Sequence, residues 1–250
     1  DCEVLTHFKD WPVSVATRPL LEADADVFIR FNEGLSILKK VIAVETGTEK
    51  SLVLPNGSKF DELVSSLRPF GLRTFFRGAE NKRRGDVAVH QNGGIGYIAR
   101  SEITTGENLI DAWKIYIGRA APGTGNRDTY PHRILSTPFI GEPGSICSET
   151  YLCIGPFASK VEAESALSYL TCRLTRLLIL LHKPSQDTTR KVYTFVPTQT
   201  WDRAWTDAEL YAKYGLSASE IEFVEKIVRP MDLTSDLLGD VTVDDDSDDE

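Results

Sequence analysis

At 250 residues, 41% hydrophobic and 26% charged, the chain can bury a sizeable core and reads as a soluble globular protein of one large or two small domains. Its longest apolar run, Leu177–Leu181, is far too short to cross a bilayer, and none of its four cysteines forms a CxxC or CxxH pair. That argues against zinc and for buried reduced thiols, which suits the cytosol.

The net charge of −9 is unevenly placed. Seven acids and no base lie in Asp240–Glu250, which leaves −2 for the rest. Between Arg68 and Arg133, 11 Lys/Arg stand against 6 Asp/Glu, and between Lys160 and Arg203 the balance is 7 to 4. Basic segments in an acidic protein can form a face for polyanions, and ordinary charge mixing accounts for them equally well. A chain that opens on Asp1 with no signal peptide behind it reads as a fragment or a processed product.

In chain order, "CEVLTHF" and "WPVSVATR" predict a hairpin around Lys9-Asp10. Val27, Phe28, Phe31, Leu35, Leu38 and Ile42 recur at helical spacing and predict an amphipathic helix started by Asp24 or Asp26. "KFDELVSSL" predicts a short helix ending before Pro69. From Arg68 onward, six glycines and many cations predict short strands joined by exposed basic loops, with strands at Val87–Gln91, Gly96–Arg100, Trp113–Arg119 and Ile146–Ile154. Ser159 and Glu162 have the spacing of a capping box, followed by an apolar stripe from Leu167 to Leu181 that Pro184 stops. "RKVYTFV" alternates and predicts a strand with Arg190 and Lys191 at its entrance. Two more capping boxes, Thr206–Glu209 and Ser217–Glu220, predict two short helices. The fold class expected is α+β: a mixed sheet with a long packed helix, then a small C-terminal helical cap and a disordered acidic tail.

The chemistry of catalysis is sparse. "NGGIGYIA" and "GTGNRD" complete neither a GxGxxG nor a GxxxxGK[ST] pattern, no GxSxG elbow occurs, and the four histidines are scattered. An endonuclease reading would use Asp61, Glu80 and Lys82, but Glu80 lies in a glycine- and arginine-rich loop, not on a rigid strand. Nucleic-acid chemistry is better served. Arg68, Arg73, Arg77, Lys82, Arg83 and Arg84 can neutralise phosphates, Gln91 and Asn92 carry the amide edge that reads adenine, and Arg127 or Arg133 the fork that reads guanine. Arg190 and Lys191 join this set as solvent-facing cations. Phe70, Phe75 and Phe76 are interleaved with the cations, where local core is the favoured role. Trp201 and Trp205 read as helix-packing anchors.

"RPFGLRTFF", "QNGGIGYIARSEI", "PFIGEPGSICSETYLCIGPF", "RKVYTFVPTQTWDRAWTDAELYAKYGL" and "EIEFVEKIVRPM", in this order, resemble the C-terminal part of type II restriction-modification adenine-N6 DNA methyltransferases, the large class in which a nuclease can be fused. The resemblance spans about Asp1 to Met231. The family's methyl-donor loop and its (N/D/S)PP(Y/F/W) motif are both missing here, so the resemblance implies DNA recognition for this chain and methylation, with S-adenosylmethionine, only for the complete protein. It implies a division into residues 1–17, trailing hairpin of an upstream methyltransferase domain; 18–202, target-recognition domain; 203–233, helical cap; and 234–250, acidic tail. The expected partners are double-stranded DNA and that upstream domain, with no membrane and no cofactor in this chain. The alternatives are a restriction endonuclease subunit and a non-enzymatic protein-interaction module.

Overall fold

Cys2–Thr6 (β1) and Ser14–Arg18 (β2) pair antiparallel, as the hairpin expectation has it, in the computed structural model, which describes residues 1–7, 11–48, 50–120 and 130–233. The acidic tail and Arg127 lie outside the described residues. The hairpin is fastened to the helix that follows it by one amide. Asn32 Nδ2 donates to the carbonyls of Val4 (3.0 Å) and Ser14 (3.3 Å), and its Oδ1 accepts from Arg18 Nε (3.0 Å).

That helix, α1 (Asn32–Thr46), starts later than Asp24 or Asp26 would have it. Asp24 takes a positive φ of 63°, and Asp26 is engaged elsewhere, accepting from His182 Nε2 at 2.8 Å and from Lys191 Nζ at 2.7 Å. The intervening backbone is tied to the hairpin: the Arg18 guanidinium donates to the Ile29 carbonyl, and Thr6 Oγ1 to that of Arg30. "KFDELVSSL" shrinks to a single 3₁₀ turn, Phe60–Leu63, around the fully buried Phe60.

Two three-stranded sheets follow. One has Asp86–Gln91 (β3) at its centre, antiparallel to Gly94–Ala99 (β4) and parallel to Ser145–Cys147 (β7), so it is mixed. The other has Trp113–Gly118 (β5) between Phe139–Gly141 (β6) and Tyr151–Phe157 (β8), all antiparallel. The expected single strand Ile146–Ile154 is thus two strands in different sheets, separated by the polar Ser148-Glu149-Thr150 turn. A short helix α2 (Glu107–Ile110) precedes β5.

β5 is buried on both faces because both are covered. Ile115 and Ile117 enter the core shared with the helices, while Tyr116, on the other face, packs with Val87, Val89, Ile146 and Cys153 in a second core between the sheets. The layers are therefore helices, the β6–β5–β8 sheet, and the β4–β3–β7 sheet.

The apolar stripe from Ser159 to His182 is two helices, not one long one: α3 (Lys160–Thr171) and α4 (Arg173–His182), broken where Cys172 adopts an extended ψ of 139°. Ser159 Oγ accepts from the Glu162 amide (3.2 Å), but the Glu162 carboxylate reaches back to Ala158 N (2.9 Å) and leaves the capping box half made. At Thr206 and Ser217 both reciprocal bonds form, starting α5 (Asp207–Lys213) and α6 (Ala218–Ile227).

"RKVYTFV" is not a strand. Arg190–Tyr193 is a 3₁₀ turn, and Val192, Tyr193, Phe195 and Val196 are all buried. Its amides close local turns instead, Val192 N on the Thr189 carbonyl (3.1 Å) and Val196 N on the Tyr193 carbonyl (2.9 Å), and its apolar residues join the helical core. The helical core runs from Ile29 to Val228, across the boundary expected at residues 202 and 203.

Candidate nucleic-acid interface

The outer sheet is extended by a backbone clamp. Ala79 and Tyr97 exchange both hydrogen bonds, at 2.8 and 2.9 Å, on the free edge of β4. The clamp needs Gly78: a Cβ there would meet Tyr97 N at 2.5 Å. Gln91, at the end of β3, completes it, its Oε1 accepting from Gly78 N at 2.8 Å.

Two cation-rich loops leave this clamp. Before it, residues 73–76 form a turn closed by Phe76 N on the Arg73 carbonyl (3.0 Å). After it, residues 83–86 form a turn closed by Asp86 N on the Arg83 carbonyl (3.1 Å), with Arg83 N bonded to the Asp86 carboxylate (2.8 Å) and Gly85 at φ 90°. Asn92-Gly93 joins β3 to β4 as a third turn.

From Arg68 to Asn92 six cations stand against two acids. Arg73, Lys82, Arg83 and Arg84 are exposed, and among the described residues no acid lies within ion-pair distance of them. Arg77 is partly committed, its Nη1 donating to the carbonyls of Thr74 (2.9 Å) and Phe76 (2.8 Å). Arg68, at φ 58°, approaches Glu149 (3.8 Å), which Arg119 also pairs with (3.3 Å). Asn92 is exposed at its turn, whereas Gln91 is buried with its amide engaged at Gly78, a position that withholds it from a base edge.

The remaining candidates stand apart from this cluster. Arg133 is half-buried against the helical core, donating to Thr137 Oγ1. Arg190 is exposed and Lys191 is paired with Asp26, both on a turn whose apolar residues belong to the helical core rather than the inter-sheet core. Of the three phenylalanines, Phe70 is buried and Phe76 packs against the inter-sheet core, but Phe75 is 78% exposed. Trp205 is buried with Nε1 on the Thr200 carbonyl (3.0 Å), and Trp201 packs on Phe60, Phe157 and Tyr169.

The endonuclease candidates differ in exposure. Asp61 has a buried Oδ1 without a hydrogen-bond partner, and burial raises its pKa, while Glu80 is exposed in the loop. Among the described residues no group of three His, Cys, Asp or Glu could hold a metal ion. Cys147, Cys153 and Cys172 are buried free thiols, and burial pushes Cys153 up to about 12; Cys2 is only half-buried.

The chain matches no protein-family model, no curated protein and no solved structure. Among the described residues, no helix is long and apolar enough to cross a membrane.

Proposed function

We propose that this chain is the sequence-specific DNA-recognition region of an adenine-N6 DNA methyltransferase from a restriction-modification system, acting in the cytoplasm. The observation that carries the proposal is the set of uncommitted cations, Arg73, Lys82, Arg83 and Arg84, on loops that one sheet-edge clamp holds in place. Phosphate contacts position a duplex, and an exposed amide at Asn92 is suited to a base edge. The Lys82–Arg84 loop and Asn92 stand at opposite ends of β3, whose six residues span about 17 Å at about 3.4 Å per residue, a length comparable to the width of a duplex.

The adenine and the methyl transfer come from the family resemblance alone. The donor-binding loop and the motif that holds the extruded base would be supplied by an upstream domain, which would bind S-adenosylmethionine. The first hairpin supports such a partner. Leu5 and Val15 are register partners on its outer face and are 57% and 56% exposed. An apolar pair on a two-stranded sheet fits a surface that another domain covers.

Changing Lys82, Arg83 and Arg84 together to Ala tests the reading. Binding to every duplex should weaken alike, and the slope of log affinity against log salt should flatten by up to about 0.9 per lost phosphate contact. Unchanged affinity and slope would remove the loop from the interface.

A further inference from the structure

We infer that Phe75 is an apolar base-contacting wedge, presented by its loop for insertion against a base step of bound DNA; this rests on the DNA-binding reading above. An isolated exposed phenylalanine needs no explanation by itself, but this one is held outward by its neighbours. Phe75 sits at the tip of the turn that Phe76 N closes on the Arg73 carbonyl (3.0 Å). Arg77 braces the same turn from below, its guanidinium bridging the carbonyls on either side of Phe75, those of Thr74 (2.9 Å) and Phe76 (2.8 Å). Phe70, Leu72 and Phe76 root the loop in the inter-sheet core, and the Gly78–Ala79 clamp fixes its exit. The result is a ring 78% exposed on a braced tip, when Phe70 and the adjacent Phe76 are packed inward.

The charges around the tip select the occupant. Arg73 precedes it, exposed and, among the described residues, without an acid at ion-pair distance, and Lys82, Arg83 and Arg84 leave the far side of the same clamp. A braced aromatic tip on the same sheet edge as these cations matches a ligand that offers both phosphates and π-faces, which is nucleic acid. A preformed tip also loses little entropy on binding, the condition under which an inserted side chain can offset the cost of unstacking a base step.

The test uses the full chain, a fluorescently labelled mixed-sequence 30-base-pair duplex, and the variants Phe75→Ala and Phe75→Trp. Phe75→Ala should keep the parent's melting temperature, because the ring is solvent-exposed, and weaken duplex binding by about 5- to 100-fold, the range for losing one stacked aromatic. Its salt slope should equal the parent's, since no phosphate contact is lost. Phe75→Trp should retain affinity, and the emission of its added indole should be quenched on binding. Equal affinity of Phe75→Ala and parent, or unquenched emission in Phe75→Trp, overturns the wedge while leaving DNA recognition standing. A parent chain that binds no duplex overturns the DNA reading and the wedge with it.

Discussion

Gln91 shows how far one residue's role depends on what surrounds it. Its amide edge fits adenine, yet its position at the end of β3 aims Oε1 at the Gly78 amide, 2.8 Å away. Changing Gln91 to Ala should therefore destabilise the fold by about 1–3 kcal/mol, because the Gly78 N–H loses its acceptor, and a urea titration measures this. Asn92→Ala should leave stability unchanged and reduce discrimination between duplexes. Lys114 is the second instructive residue. It is fully buried between the sheets, with Nζ donating to the carbonyls of Ile110, Ala112 and Glu142 at 2.9 to 3.1 Å and, among the described residues, no acid within ion-pair distance. Burial lowers its pKa from 10.5 to about 8. Below about 8 both folded and unfolded chains hold the proton and the cost of burying the charge is fully present. Between about 8 and 10.5 the unfolded chain binds more protons, so this lysine's contribution to stability rises with pH. Burial raises the pKa of Tyr116 and of Cys147, and those groups act in the opposite sense at high pH. The readout is accordingly a difference: from pH 7 to pH 9.5, unfolding free energy should shift in favour of the parent over Lys114→Met by about 1–2 kcal/mol.

At the scale of elements, Glu220 joins two helices that sequence separation keeps far apart. Its carboxylate caps Ser217 N (2.7 Å) and also accepts from Ser36 (2.9 Å) and Lys40 (2.6 Å) on α1. A capping residue alone is worth about 1 kcal/mol, and a buried, multiply bonded carboxylate more. Glu220→Ala should therefore cost about 2–3 kcal/mol in chemical denaturation, against about 1 kcal/mol for the simpler cap lost in Ser159→Ala. The capping boxes were legible because they are local: four residues contain both partners. The break at Cys172 was not, since the leucine spacing runs through it. What bends the chain there is tertiary. Asp207 at the start of α5 accepts from Leu174 N (3.2 Å), and Trp205 N donates to Ser168 Oγ (2.8 Å), so the α5 approach occupies the step between α3 and α4.

At the scale of the whole molecule, the charge of the chain divides between the basic loops and the acidic segment 240–250. Ending the chain after Leu233 should leave the melting temperature nearly unchanged, because seven acids in that segment offer little to a core. It should also tighten duplex binding at low salt, an effect that fades as ionic strength screens the removed negative charge. Composition and spacing alone determined the α+β class, the first hairpin, the caps at Thr206 and Ser217, and the strands around Val89 and Ile115, because each is written in local sequence pattern. They also located the cations of residues 68–84. Which of the candidate cations stay uncommitted was decided only by the folded chain: Arg77 folds onto its own turn, Arg68 meets Glu149, and Arg190 and Lys191 sit on a turn against the helical core. The same holds for "RKVYTFV", whose alternation matches a strand but whose apolar residues are buried at both alternating sets of positions, and for Phe75, whose exposure next to the packed Phe76 no periodicity encodes. Local pattern fixes what a segment can form, and the choice among those forms goes to whichever buries the most apolar surface while pairing every amide within reach.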